Sequence, residues 1–414
     1  MLGSTGTTGA EIAPWRQRRF VLFAAGNFVN NLGEGAYKVA LPLYVYAVTG
    51  SLGTMSLVVA LGPLMLMAGP WLGAVADRFG AGVLVVPGLL VQLGAAVALN
   101  VVGVGRLWVL FVLVALVQLG GELYRTGWIA GVPHLFPEYA TRARGVLSSL
   151  FVVSNVVGPL VVAVGIGVAG YPGLLWFNAA TFMAPILVWL AGVHPPRVER
   201  KPGRATLSRD IVEGWRVVRA APELLRLQLT ALPLHFTGGV GVVAFLVWCL
   251  RDHVRVSAET VGVAQAVFNL GALAGSLVIA ARARTDPARV VAAAAVVMTG
   301  ALFAMAIPST PVLLAVTTAF FTLRAAMTAA SAMAIVQHLP ADVVGRAEGL
   351  FNLLSGLPVL AAPLLIPVVR GIVGAQGVLV FLGLVASLSL LGISSWPWRS
   401  ATPGTRRRPA ARPG

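Results

Sequence analysis

Residues 82–104 read GVLVVPGLLVQLGAAVALNVVGV, 23 residues without one charge. A helix of that length rises about 35 Å at about 1.5 Å per residue, enough to cross hydrocarbon roughly 30 Å thick. Outward from it the pattern repeats. Apolar runs of similar length stand at 20–48, 54–76, 107–131, 146–169, 174–194, 224–250, 260–281, 290–308, 311–336, 349–369 and 377–395. With the first they make twelve expected transmembrane helices. The loops between them are short and leave no room for a separate soluble domain. Of the 414 residues 58% are hydrophobic and 11% charged. Soluble domains carry about 25% charged residues, so this balance excludes a water-soluble enzyme. Disorder is excluded by the same hydrophobicity. The single cysteine, Cys249, excludes an internal disulfide and a cysteine-cluster metal site.

The net charge of +16 is not the footprint of a nucleic-acid binder, because the basic residues lie between the apolar runs and not along one face. With the N-terminus in the cytoplasm, 22 of the 30 Lys and Arg fall on the cytoplasmic side. Four lie on the opposite loops (Arg106, Arg251, Arg255, Arg370) and four within spans (Lys38, Arg125, Arg226, Arg324). That asymmetry predicts a multi-pass protein of the cytoplasmic membrane with both termini inside.

His194-Pro195-Pro196 and the basic stretch after it break the apolar pattern. The expected organisation is a cytoplasmic segment 1–19, a six-helix bundle 20–194, a basic linker 195–222, a second bundle 223–398 and a basic tail 399–414. The bundles resemble each other. Arg142-Ala143-Arg144-Gly145 opens span five, and Arg346-Ala347-Glu348-Gly349 opens span eleven 204 residues later. Pro159 and Pro363 keep that offset, and Gly69-x-x-x-Gly73 matches Gly271-x-x-x-Gly275 at 202. The fold class is therefore an all-α membrane protein of two pseudo-symmetric six-helix halves, the build of carriers whose site lies between rocking repeats.

Span two ends Gly73-Ala74-Val75-Ala76-Asp77-Arg78-Phe79-Gly80. This resembles the loop signature of the major facilitator superfamily, G-x-x-x-D-R-x-G followed by basic residues. Glu34 to Pro42 in span one and Gly345 to Asn352 at span eleven look like the branch holding bacterial drug exporters and enterobactin-type siderophore exporters. The resemblance implies that the loop packs against the start of span eleven. Asp77 would there favour the positive helix end by roughly 0.3–1 kcal/mol. Gly73, Asp77, Arg78, Gly80, Arg142 and Arg346 are then the gating candidates. Ala81 and Gly82 stand where the family usually has basic residues, which implies a weaker latch.

A charge at mid-bilayer costs about 2.5–3.5 kcal/mol, so charges inside spans are functional candidates. Asn27, Asn30, Asn31, Glu34 and Lys38 fall at steps of 3, 1, 3 and 4, on one stripe of span one. The i, i+4 spacing of Glu34 and Lys38 suits an ion pair. Gln118, Glu122 and Arg125 repeat the idea in span four. Arg324 in span ten has no carboxylate nearby in sequence, so Glu34, Glu122 or a substrate is its expected partner. Gln265, Asn269 and Asn352 complete the expected cavity wall. Glu34 and Glu122 are the candidate proton carriers.

These residues point to a secondary transporter, a proton-coupled exporter of a small organic molecule. Its partners are the substrate, protons and the lipid bilayer, with no nucleic acid, no ATP and a monomeric state expected. No Gly-rich phosphate loop, metal-ligand spacing or catalytic set occurs, so neither an enzyme nor a metal or other cofactor is expected. An importer of a small organic anion and a channel are the alternatives.

Overall fold

The structure, a computed structural model, describes residues 14–195, 215, 216, 218–282, 286–307, 310–339 and 341–394. The side chains of Asp77 and Arg346 lie outside the described residues, as do most of the linker 195–222 and the tail.

Nine described segments are long and apolar enough to cross a membrane. Two of them, Pro137–Leu190 and Gly349–Ser394, have 54 and 46 residues, too many for one crossing. Each turns back at a glycine, Gly170 (φ 64°, ψ −175°) and Gly374 (φ 71°, ψ −178°). That backbone region is essentially closed to side chains with a Cβ. The two turns are 204 residues apart, the offset of the sequence repeat. Span one, Arg18–Thr49, is the twelfth crossing; its amides and charges lower its hydropathy below the others.

Spans two and eight begin alike. Ser51 accepts a hydrogen bond from Thr54 N at 3.1 Å, and Ser257 accepts one from Thr260 N at 3.3 Å. Such caps satisfy helix-end N–H groups that have no partner within the helix. Span two departs from the expected single run, because it breaks into Leu52–Leu66 and Gly69–Phe79 just past Pro63. Span seven likewise consists of Pro222–Thr237 and Val240–Trp248, divided at Gly238-Gly239.

Lipid gives apolar side chains no reason to prefer each other, so helices associate where small residues let backbones approach. A Cβ on Gly158 of span five would lie 2.5 Å from the carbonyl carbon of Gly35 in span one. In the second half, a Cβ on Gly241 of span seven would fall on the backbone of Pro363 in span eleven. Gly35 and Gly241 thus make the same crossing in the two halves. Gly88 and Gly120 bring spans three and four together in the same way.

Twelve alternating crossings define a termini end and a far end. The largest apolar core joins the halves near the far end, where Leu43, Leu52 and Met55 meet Phe245, Leu246 and Ile366. Spans five and eight touch from Gly262 against Pro159 down to mid-membrane, where Asn269 Nδ2 donates to Asn155 O at 2.6 Å. Spans two and eleven touch from Gly53 against Pro367 down to Met67 against Gly356. Beyond that depth span two's second segment packs mainly on spans three and four of its own half. Among the described residues, the halves are closed on each other at the far end and their contacts thin out toward the termini end.

Candidate functional site

The polar stripe of span one is about 100° wide, and its two edges meet different neighbours. At one edge Glu34 is half-buried. Its Oε1 accepts from Asn30 Nδ2 and from Gln92 Nε2 of span three, both at 3.1 Å. Gly121 of span four lies alongside, with its would-be Cβ 3.8 Å from Glu34 Oε1. The absent side chain there makes the space the carboxylate fills. Asn30 and Gln92 are buried, and Asn30 Oδ1, Gln92 Oε1 and the nearby Asn27 Oδ1 have no hydrogen-bond partner among the described residues. Asn27 donates to its own helix, to Phe23 O at 3.4 Å.

At the other edge Lys38 is exposed, with Nζ 5.6 Å from the centre of the Phe151 ring of span five. The expected Glu34–Lys38 pair is not formed. The two side chains leave span one toward different neighbours, and the carboxylate is already held by two amide donors. Asn31, next to Lys38 on that edge of the stripe, is half-buried.

In span four Arg125 and Glu122 form an ion pair at 2.7 Å, with a second contact from Nε at 3.1 Å. The arginine end is 42% exposed and the carboxylate end 15%, so the pair reaches the protein surface on its arginine side. Gln118 faces Gly62 of span two. Gln265 is buried, Asn269 crosses to span five, and Asn352 is exposed. Arg324 pairs with neither Glu34 nor Glu122.

Among the gating candidates, Gly80 adopts φ 89° and caps the second segment of span two, its N–H donating to Ala76 O at 2.8 Å. That conformation explains a glycine at the end of the loop motif. Arg78 is exposed and stacks on Phe79, and Arg142 is exposed. A Cβ on Gly73 would meet nothing within 4 Å.

Sequence reasoning missed four residues. Gln92 was the lone amide in the middle of an uncharged apolar run, and its polarity there was the available signal. Tyr46, Trp248 and Asp252 form a far-end latch across the halves. Tyr46 OH donates to Asp252 Oδ1 at 2.7 Å and accepts from Trp248 Nε1 at 3.1 Å. The Arg370 guanidinium stacks 4.2 Å from the Trp248 ring centre. Tyr and Trp at span ends also read as ordinary interface anchors, which hid this role.

Solved transporters share this architecture. A point mutant of the nucleoside transporter NupG superposes with TM-score 0.74 at 13% identity, over 91% of this chain and 99% of that one. A bacterial homologue of the human lysosomal transporter Spinster, inward-facing and unoccupied, gives 0.72 at 14%, over 92% and 97%. The human organic anion transporter MFSD10 (TETRAN) gives 0.67 at 15%, over 91% and 100%. No curated protein sequence matches significantly. The sequence profile of the Major Facilitator Superfamily matches residues 23–249, more than half of the chain. Two pseudo-symmetric six-helix halves, parted at one end and latched at the other, are the architecture for transport by alternating access, and the chain belongs to the Major Facilitator Superfamily.

Proposed function

We propose that the protein is a proton-coupled exporter of a small organic molecule, in the cytoplasmic membrane with both termini inside. The surroundings of Glu34 carry this reading. Two amide donors hold the carboxylate when it is charged. When it takes a proton, its new O–H needs an acceptor, and a turn of the Asn30 or Gln92 amide supplies one from an oxygen that has no partner now. A nest that serves both protonation states at little cost suits a group that loads and unloads once per cycle. Protonation from the far side would favour cargo release, and proton loss to the cytoplasm would reset the site. The membrane potential adds about 2.3 kcal/mol per charge per 100 mV. The likeness of spans one and eleven to drug and siderophore exporters supports the direction.

The test is a pH-jump assay in proteoliposomes with cationic, anionic and neutral organic cargoes. The reading expects cargo movement against an imposed proton gradient that stops when the gradient is collapsed. Movement indifferent to the gradient for every cargo contradicts it.

The far-end latch gives a second expectation. Tyr46→Phe removes both hydrogen bonds across the halves, together roughly 1–2 kcal/mol, or about a 5- to 30-fold shift toward opening at the far end. In a Cys249→Ala background, a cysteine at Asn155 lies at mid-depth between the halves. A membrane-impermeant maleimide added from the far side should label it faster in Tyr46→Phe by that factor. An unchanged or slower rate counts against the latch.

A further inference from the structure

Arg324 is the fifteenth of 29 residues in the span Thr310–His338, which places it at mid-membrane. Its side chain crosses to span seven at the break between the two segments. A Cβ on Gly238 would lie 2.6 Å from Arg324 Cδ and 2.8 Å from its Nε. Among the described residues, its guanidinium group meets one aromatic ring, that of Phe321, 6.0 Å from the ring centre. None of its five N–H donors makes a hydrogen bond or an ion pair with a described residue. The nearby carbonyls at the end of the first segment are taken: Leu234 O accepts from Gly238 N and Thr237 Oγ, and Phe236 O accepts from Gly239 N.

The repeat makes this position informative. The offset of 204 carries Gly120 to Arg324 and Gly121, the glycine beside Glu34, to the next position, 325, while offsets of 204 to 206 carry Glu34 to 238–240. Both halves therefore place one charge at the junction of their first and fourth helices, in space left by a glycine on the opposite helix. In the first half span one carries the charge and span four the glycine. In the second half span ten carries the charge and span seven the glycine. The carboxylate is compensated by two amides of the fold. The guanidinium is not compensated by any described residue, and an unpaired charge at this depth is costly.

We infer that Arg324 is an anion subsite, and that the counter-charge it lacks arrives on the cargo as a carboxylate, sulfonate or phosphate group. A planar guanidinium pairs with such groups through two parallel hydrogen bonds. The inference rests on the transporter reading and narrows its substrate class. It also gives the two half-sites separate duties, a proton at Glu34 and an anionic group at Arg324.

The test uses full-length protein in lipid nanodiscs and thermal stability with a panel of probes: benzoate, benzenesulfonate and phenyl phosphate, each beside neutral benzamide. At least one anion should stabilise the wild type in a saturable way, with benzamide inert. Arg324→Gln should weaken that binding roughly 10- to 100-fold, and Arg324→Lys should recover part of it. An unliganded melting temperature close to wild type shows that each variant is folded; should Gln fail to fold, Arg324→Lys and Arg324→Met carry the comparison. Equal stabilisation of wild type and variant, or of wild type by no anion, overturns the subsite. Should lipophilic tetraphenylphosphonium move with the proton gradient while no anion binds, the subsite falls and the transporter stands. Anion binding lost in Arg324→Gln but without gradient-driven movement of any probe leaves the subsite and removes proton coupling.

Discussion

Glu34→Gln is expected to abolish proton-driven transport while leaving cargo exchange in place. The glutamine is nearly isosteric and can still accept from Asn30 or Gln92, so the fold around spans one, three and four should survive. What it cannot do is bind and release a proton. Gradient-driven movement in proteoliposomes should fall to the leak rate. Counterflow, with labelled cargo outside and unlabelled cargo inside at equal pH, should persist. Intact gradient-driven movement in the variant would remove Glu34 from the coupling step. Loss of counterflow as well would mean that the residue serves cargo binding or folding instead.

A larger effect on stability is expected at the crossing of spans one and five. Gly158 has no room for a side chain: an added Cβ would sit 2.5 Å from Gly35 C and 2.7 Å from Ala36 N, and backbone cannot move aside cheaply. Alanine in a helix interior is ordinarily better than glycine by about 1 kcal/mol. Here overpacking, typically about 1–3 kcal/mol, should outweigh that gain, so Gly158→Ala lowers the melting temperature. Gly158→Leu should give little folded protein. Gly145, on the same helix, supplies the contrasting sign. It is exposed, and an added Cβ meets nothing within 4 Å, so Gly145→Ala should be neutral or stabilising. Equal melting temperatures for Gly158→Ala and wild type would show that the crossing tolerates separation.

Hydrophobic length alone was enough to count the spans, because a bilayer of fixed thickness leaves little choice. The turns at Gly170 and Gly374 fall in the short gaps expected between spans five and six and between spans eleven and twelve, and backbone conformation singles out the turning residue in each. The 204-residue repeat was legible in arginines and prolines and proves to extend to those turns. Helix spacing also identified the stripe that holds Glu34. It could not tell which edge of the stripe meets span three and which meets span five, because that depends on how span one rotates against its neighbours. This is why the Glu34–Lys38 pair was expected and the Glu34–Gln92 contact was not. The far-end latch joins Tyr46 to Asp252 across 206 residues, and no local spacing rule reaches that far.

The central claim is that the two halves close at one end as they open at the other, with Glu34 setting which. Double electron–electron resonance in a Cys249→Ala background tests it directly. One spin-label pair at Val48 and Glu259 reports the far end, and another at Val83 and Val336 reports the termini end. Lowering the pH should lengthen the first distance and shorten the second, and Glu34→Gln should lock both at one setting. Distances that stay fixed at both ends, or that change together in the same direction, in protein that still transports would contradict the account.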